Sequence, residues 1–268
     1  MTHKVDFFQE FKSTLHPNYL TDFKNNDSNE VVIVFSPNAR FAMFNIQFPT
    51  DVLFIADKKL HYYIYNPGRQ VSLIHNFITQ CKYEKVTLIG SSKGGSGALL
   101  WSSLLSKSRD KQYSVKCFSF SPQVSLYPES KVIGYPSYKN MLLTARNNNN
   151  LNKCLETYGD ISSHVSSTLA STIVFFSGMY SIDRHEAQLL QDMNVTLVQL
   201  PLTFHGSITP YLVDKNIEKH LQSIVAKLFS NASKDPDLAS TLPSSENELI
   251  KTLSQLDAPH ITELLKIF

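Results

Sequence analysis

The chain has 268 residues, 42% of them apolar, and 25 basic against 23 acidic side chains leave a formal charge of +2. That length is enough to bury one sizeable core, and the near balance of charge excludes a global field drawing the protein to nucleic acid or anionic lipid. Three cysteines (Cys81, Cys117 and Cys154) without a C-x-x-C pair argue against a disulfide framework and against a thiolate zinc site, so no metal is expected.

Residues 1–15 carry charges throughout and lack the apolar h-region of a secretory signal. The longest purely apolar run, 31–35, is far too short to span a bilayer. A soluble, cytoplasmic protein with no transmembrane segment is the expectation. Short β-branched runs recur at 31–35, 52–55, 86–89, 115–120, 173–176 and 195–200. Being apolar on both faces, they suit buried strands of a mainly parallel sheet. Helical patterns at 70–81, 94–107, 184–193 and 214–229 lie between or after them, which gives an α/β alternation.

Residues 127–171 break this rhythm with Pro128, Pro136, Gly134, Gly159 and the run Asn147 to Asn150. Helical fragments are expected there at 138–145 and 151–158. The segment reads as a cap-like insertion over the carboxyl edge of the sheet that shapes a substrate pocket. After a polar stretch at 230–240, the capping-box pattern Ser245-Glu246-Asn247-Glu248 precedes Leu249, Leu253 and Leu256, and a second amphipathic turn carries Ile261, Leu264, Leu265 and Phe268. The expected division is a domain over 1–230 followed by a linker and amphipathic helices over 231–268. Those helices are expected to dock on the protein's own body, with self-association or a partner as the alternatives.

The informative segment is 86–100, where Gly90, Ser92 and Gly94 form G-x-S-x-G between a strand-like and a helix-like run. A sharp strand-to-helix turn holds such a serine in a strained conformation, and glycine two residues to either side removes the collisions. Glycine-rich turns also bind phosphates, but neither G-x-G-x-x-G nor the P-loop pattern fits Gly90 to Gly97. The context is that of a nucleophile elbow in an α/β-hydrolase fold. The remaining members of a triad then follow in the order acid, histidine. Asp183 lies after the run at 173–176 and ahead of a predicted helix, and His205 lies after the run at 195–200. His205 would accept the Ser92 proton and return it to the leaving group, while Asp183 would orient the imidazole. His164, His185, Asp160 and Asp192 are weaker alternatives on placement.

The backbone N–H of Lys93 is the natural first oxyanion donor, and the amide of Asn38 or Ala39, in the loop after 31–35, is the second. The Lys93 side chain has two readings, an anionic substrate or pairing to a surface carboxylate. Arg40 and Arg69 are candidates to share a local positive field.

The string Gly90-Ser91-Ser92-Lys93-Gly94-Gly95, with Gly97 to Leu100 and Ser121-Pro122-Gln123, resembles serine α/β-hydrolase-fold proteins of bacterial capsule and surface-polysaccharide pathways, including capsule polysaccharide O-acetyltransferases. The resemblance spans about residues 31–205. It implies acetyl transfer from acetyl-CoA to a sugar hydroxyl through an acetylated Ser92, with Asp183 and His205 at matching positions. No tightly bound cofactor is implied. An esterase would use the same triad, since only exclusion of water from the acyl-enzyme separates the two. A non-catalytic module in surface-glycan assembly is the reading from another class.

Overall fold

The computed structural model of the chain describes residues 2–214 and 219–267. Strands β1 (Tyr19–Lys24), β2 (Glu30–Phe35), β3 (Asp51–Asp57), β4 (Lys85–Ser91), β5 (Ser114–Phe120), β6 (Ser171–Ser177) and β7 (Thr196–Leu200) form one sheet in the order β1-β3-β2-β4-β5-β6-β7. Only β1 runs antiparallel to its neighbour. The six apolar runs are β2 to β7. Strand β1 is absent from the sequence reading because an edge strand with one covered face reads as half polar, here Tyr-Leu-Thr-Asp-Phe-Lys.

Each central strand divides its apolar side chains between two cores, as a pleat of period two requires. Val31, Ile33 and Phe35 of β2 enter one core and Val32 and Val34 the other. In β5, Val115 and Cys117 oppose Phe118 and Phe120 in the same way. The first core is covered by α1 (Thr2–Thr14), α2 (Pro67–Gln80), α3 (Lys93–Ser106), α4 (Pro136–Arg146), α5 (Asn149–Tyr158) and α6 (Ile161–Val165). α1 is also missing from the sequence reading; Phe8, Phe11 and Leu15 anchor it, interleaved with charges. α7 (Ser181–Gln188) connects β6 to β7.

The second core is closed by residues 41–48, by α8 (Thr209–Leu212) and by α12 (Ile261–Ile267). α9 (His220–Ala232) packs on α11 (Glu246–Ser254) through Val225, Leu249 and Leu253, together with Leu202 and Phe204 of the loop after β7. The short α10 (Pro236–Ala239) joins them. Thus the apolar stripes of α11 and α12 are spent on the chain itself, as expected; the remaining stripe residue, Phe268, lies outside the described residues. Of the helix expected over 214–229, residues 215–218 lie outside the described residues, Asp214 is not helical, and α9 begins at His220 and covers the remainder. Strand order, parallel core and the strand-turn-helix at Ser92 are those of an α/β-hydrolase fold.

Candidate active site

The turn from β4 into α3 places Ser92 at φ 54° and ψ −124°, a conformation that L-residues avoid. Two contacts make it obligatory. The Ser92 amide donates to the Phe120 carbonyl at 2.8 Å, and the first helical bond of α3 runs from the Ser96 amide to the Ser92 carbonyl at 3.0 Å. The chain crosses itself so tightly that a Cβ on Gly90 would stand 2.1 Å from the Gly94 oxygen, and one on Gly94 2.2 Å from the Phe35 oxygen. The backbone N–H groups of Lys93, Gly94 and Gly95 start α3 and have no intrahelical acceptor.

Ser92 Oγ lies 2.8 Å from His205 Nε2, although 113 positions separate the two residues. His205 Nδ1 lies 2.6 Å from Asp183 Oδ1, and both side chains are buried. His205 sits in the loop after β7, where Leu202 and Phe204 plug into the core formed with α9 and α11. Asp183 lies in the first turn of α7 rather than in the loop ahead of it. The expected helix at 184–193 starts three residues earlier, at Ser181, and its last part is a series of turns instead. An acidic side chain in a first turn is favoured by the helix dipole.

The sequence reading missed the support beneath Asp183. Its second oxygen, Oδ2, accepts from Ser121 Oγ at 2.5 Å and from the Ser177 amide at 3.3 Å. Ser121 Oγ lies 2.8 Å from Ser207 Oγ, which in turn donates to the Phe175 carbonyl. Ser121 itself has φ 48°, held by its amide's bond to Phe175. The one available signal was its place at the end of β5, within Ser121-Pro122-Gln123. Two rings also flank the imidazole, Tyr135 at 5.2 Å and Tyr180 at 5.9 Å between centroids. Burial pushes both phenols above their ordinary range, with Asp183 adding to it, so both remain neutral neighbours.

The other candidates fall elsewhere. His164 is half-buried on α6, its Nε2 2.9 Å from the Thr157 carbonyl, and Asp160 caps the same helix. His185 is on α7, and Asp192 is exposed beyond it. Asn38 lines the cavity in front of Ser92, whereas Ala39 and Arg40 are exposed and outside its lining. Arg69 is exposed on α2 and away from the cavity; the His16 pKa is lowered by burial first, with Arg69 adding to it. The loop carrying Asn38 is pinned by Ser36, whose Oγ accepts from the Ala42 amide and whose carbonyl accepts from Tyr63 Oη.

Lys93 has a carboxylate partner, but a buried one and not one at the surface. Its ammonium is 2.5 Å from Asp237 Oδ2, with both side chains buried, so it presents no unpaired charge to a substrate. The partner comes from α10, 144 positions away, which no local pattern could reveal. Asp237 Oδ1 also accepts from the Ser137 amide at 3.0 Å, so one carboxylate ties α10 to the starts of α3 and α4. Burial alone would raise the Asp237 pKa, but Lys93 and Ser137 more than offset it and hold the carboxyl below its ordinary range. A depressed carboxylate stabilises the fold above its unfolded pKa and loses that contribution as pH falls through the folded value. Asp237→Ala is therefore expected to lower stability at pH 7 by about 3 kcal/mol, because it strands a buried ammonium, and Lys93→Met in the same chain should return most of it. Urea denaturation of the single and double variants checks this. The wild-type advantage should vanish in the acid range below the ordinary carboxylate pKa.

A cavity of about 240 Å³ opens in front of Ser92 and His205. Its walls come from the loop after β2, from residues 206–212, and from α9 and α10. Of the insertion at 127–171 only Tyr135 lines it; α6 packs on α3, and α4 and α5 pack on each other and on the first core instead of roofing the site. The C-terminal helices take the place expected of the insertion because Asp237 anchors them to the elbow. Among the described residues no group of three or more His, Cys, Asp or Glu side chains could hold a metal, and no helix is long and apolar enough to cross a membrane.

No family model matches the chain, and no curated protein does. Solved structures similar to it include the capsule O-acetyltransferase of Neisseria meningitidis serogroup A, a point mutant in complex with CoA, at 15% identity and a TM-score of 0.47 over 70% of this chain and 85% of that one. An acetyl xylan esterase from Thermoanaerobacterium is similar at 10% identity and a TM-score of 0.46, covering 75% and 87%. A Pyrococcus furiosus esterase follows at 14% identity and 0.43, covering 68% and 77%.

Proposed function

We propose that the protein is a serine-dependent acyl-transfer enzyme of Ser92, His205 and Asp183. The supporting observation is the continuous hydrogen-bonded line from Ser92 Oγ through the imidazole to Asp183, at a backbone turn that holds the serine in a strained conformation. Neutral His205 carries its proton on Nδ1, toward Asp183, which leaves Nε2 free to accept from Ser92. The serine oxygen then adds to the ester or thioester carbonyl carbon as its proton passes to Nε2. The resulting oxyanion is received by the Lys93 amide and the loop amide at Asn38, the lining member of the pair weighed from the sequence. The tetrahedral species collapses when the imidazolium protonates the departing alkoxide or thiolate, leaving an acyl-serine. An acceptor hydroxyl, deprotonated by the same imidazole, releases the acyl group in a second pass.

The finer form of the proposal takes acetyl-CoA as donor and a carbohydrate hydroxyl as acceptor, with water as acceptor in the esterase alternative. Intact-protein mass spectrometry after incubation with acetyl-CoA or an aryl ester tests it. An acyl adduct on the wild type, never on Ser92→Ala and reduced on His205→Ala, is the expected result. An adduct formed only from acetyl-CoA favours the transferase; one formed and rapidly hydrolysed from aryl esters favours the esterase. No adduct from either donor sinks the reading.

A further inference from the structure

The cavity beside Ser92 is larger and more apolar than a two-carbon acyl group requires. Its apolar wall is Met43, Ile208, Leu212, Ile224, Leu228 and Leu238, with Asn231 and Thr241 among the polar residues that also line it. All six are only partly buried, so they leave apolar surface in contact with water around a small concave site. Such surface is unfavourable unless something covers it. In α9 the wall residues Ile224, Leu228 and Asn231 follow the i, i+4, i+7 spacing of one helical face, while Val225 points into the core with α11. α9 thus spends one apolar face on the fold and turns Ile224 and Leu228, with the polar Asn231 a turn further on, toward the cavity.

From this we infer that the cavity is an acyl-chain site and that the preferred donor carries a straight saturated chain of medium length, in place of the acetyl group taken in the finer form of the proposal above. This rests on Ser92 being the acyl acceptor proposed above. A dry apolar cavity of about 150 Å³ holds a six-carbon ring. On the same scale the 240 Å³ here accommodates about ten heavy atoms, and with about three reserved for the reacting ester group some six to seven chain carbons remain. The α9 face and Leu238 of α10 set that length, because they form much of the apolar lining of the cavity. Chain selection is then a property of the C-terminal helices and not of the sheet.

Two measurements on the full chain test this and separate it from the chemistry. The first is kcat/KM for p-nitrophenyl esters from acetate to dodecanoate. Each methylene buried should raise it about threefold to fourfold, giving roughly a hundredfold from acetate to hexanoate and a fall beyond octanoate. Leu228→Trp and, separately, Ile224→Trp put bulk into the cavity from α9 and should lower the hexanoate-to-acetate ratio at least about tenfold. Thermal unfolding verifies that each variant is folded, and either one suffices. The second uses Ser92→Ala, which cannot turn over, with 2-octanone or acetone at equal concentration. 2-Octanone should raise its melting temperature, acetone should not, and Leu228→Trp should remove the effect. Ester turnover with a flat or acetate-favouring profile and no response to 2-octanone overturns the acyl-chain site while leaving the serine chemistry intact. A 2-octanone response without turnover or adduct overturns the chemistry and leaves the chain site. Absence of both overturns both.

Discussion

Replacing Ser92 by alanine is expected to lower kcat for ester turnover by roughly 10^5 to 10^6, and replacing His205 by alanine to do the same, with no further loss in the double variant. In the proposed mechanism the two residues, 2.8 Å apart, act on one proton, so removing either end disables the transfer once. Asp183→Asn should lose roughly 10^4 because the amide favours the wrong imidazole tautomer. Ser121→Ala is a different case. Its hydroxyl touches only Asp183 Oδ2 and Ser207, so it positions the acid without meeting substrate. Loss of one charge-assisted hydrogen bond should lower kcat roughly tenfold with KM unchanged. Steady-state kinetics on a simple aryl ester separates these outcomes, and wild-type turnover by Ser92→Ala would remove the nucleophile from contention.

The second large effect is steric. Gly94→Ala and Gly90→Ala should each destabilise the protein by about 4 kcal/mol or more, since each new Cβ would meet backbone oxygen at little over 2 Å and neither β2 nor the start of α3 can retreat. Gly134→Ala is the internal comparison. A Cβ there meets nothing within 4 Å, and its effect should lie within about 0.5 kcal/mol. Urea unfolding curves with matched slopes provide the test, because a change in midpoint alone then reports stability. Equal tolerance at 90, 94 and 134 would mean that the elbow is not as tight as the contacts around Phe35 and Gly94 describe.

These two effects meet in one place. The strained φ of Ser92 is maintained by bonds from β5 and from within α3, and the triad geometry depends on that strain being held. The bonds that continue past the strand ends do similar work on the later loops. The Gly178 amide reaches the Leu200 carbonyl and the Met179 amide the Leu202 carbonyl, which fixes the acid loop to the histidine loop before either side chain is considered.

The sequence by itself determined the strands β2 to β7, the elbow at Ser92 and the chain order of Asp183 and His205. All of these are written in local patterns: runs apolar on both faces, glycines two positions from a serine, and polar residues just past apolar runs. Tertiary structure alone decided the rest. The edge strand β1 and helix α1 are specified by what they pack against, so their mixed sequences carry only a weak period. Asp237 reaches Lys93 across 144 positions, and Ser121 reaches Asp183 across 62. The cavity is walled by C-terminal helices instead of the insertion because a buried carboxylate holds α10 against the start of α3. Pairings of this kind depend on how distant segments meet in space, and no spacing along the chain encodes them.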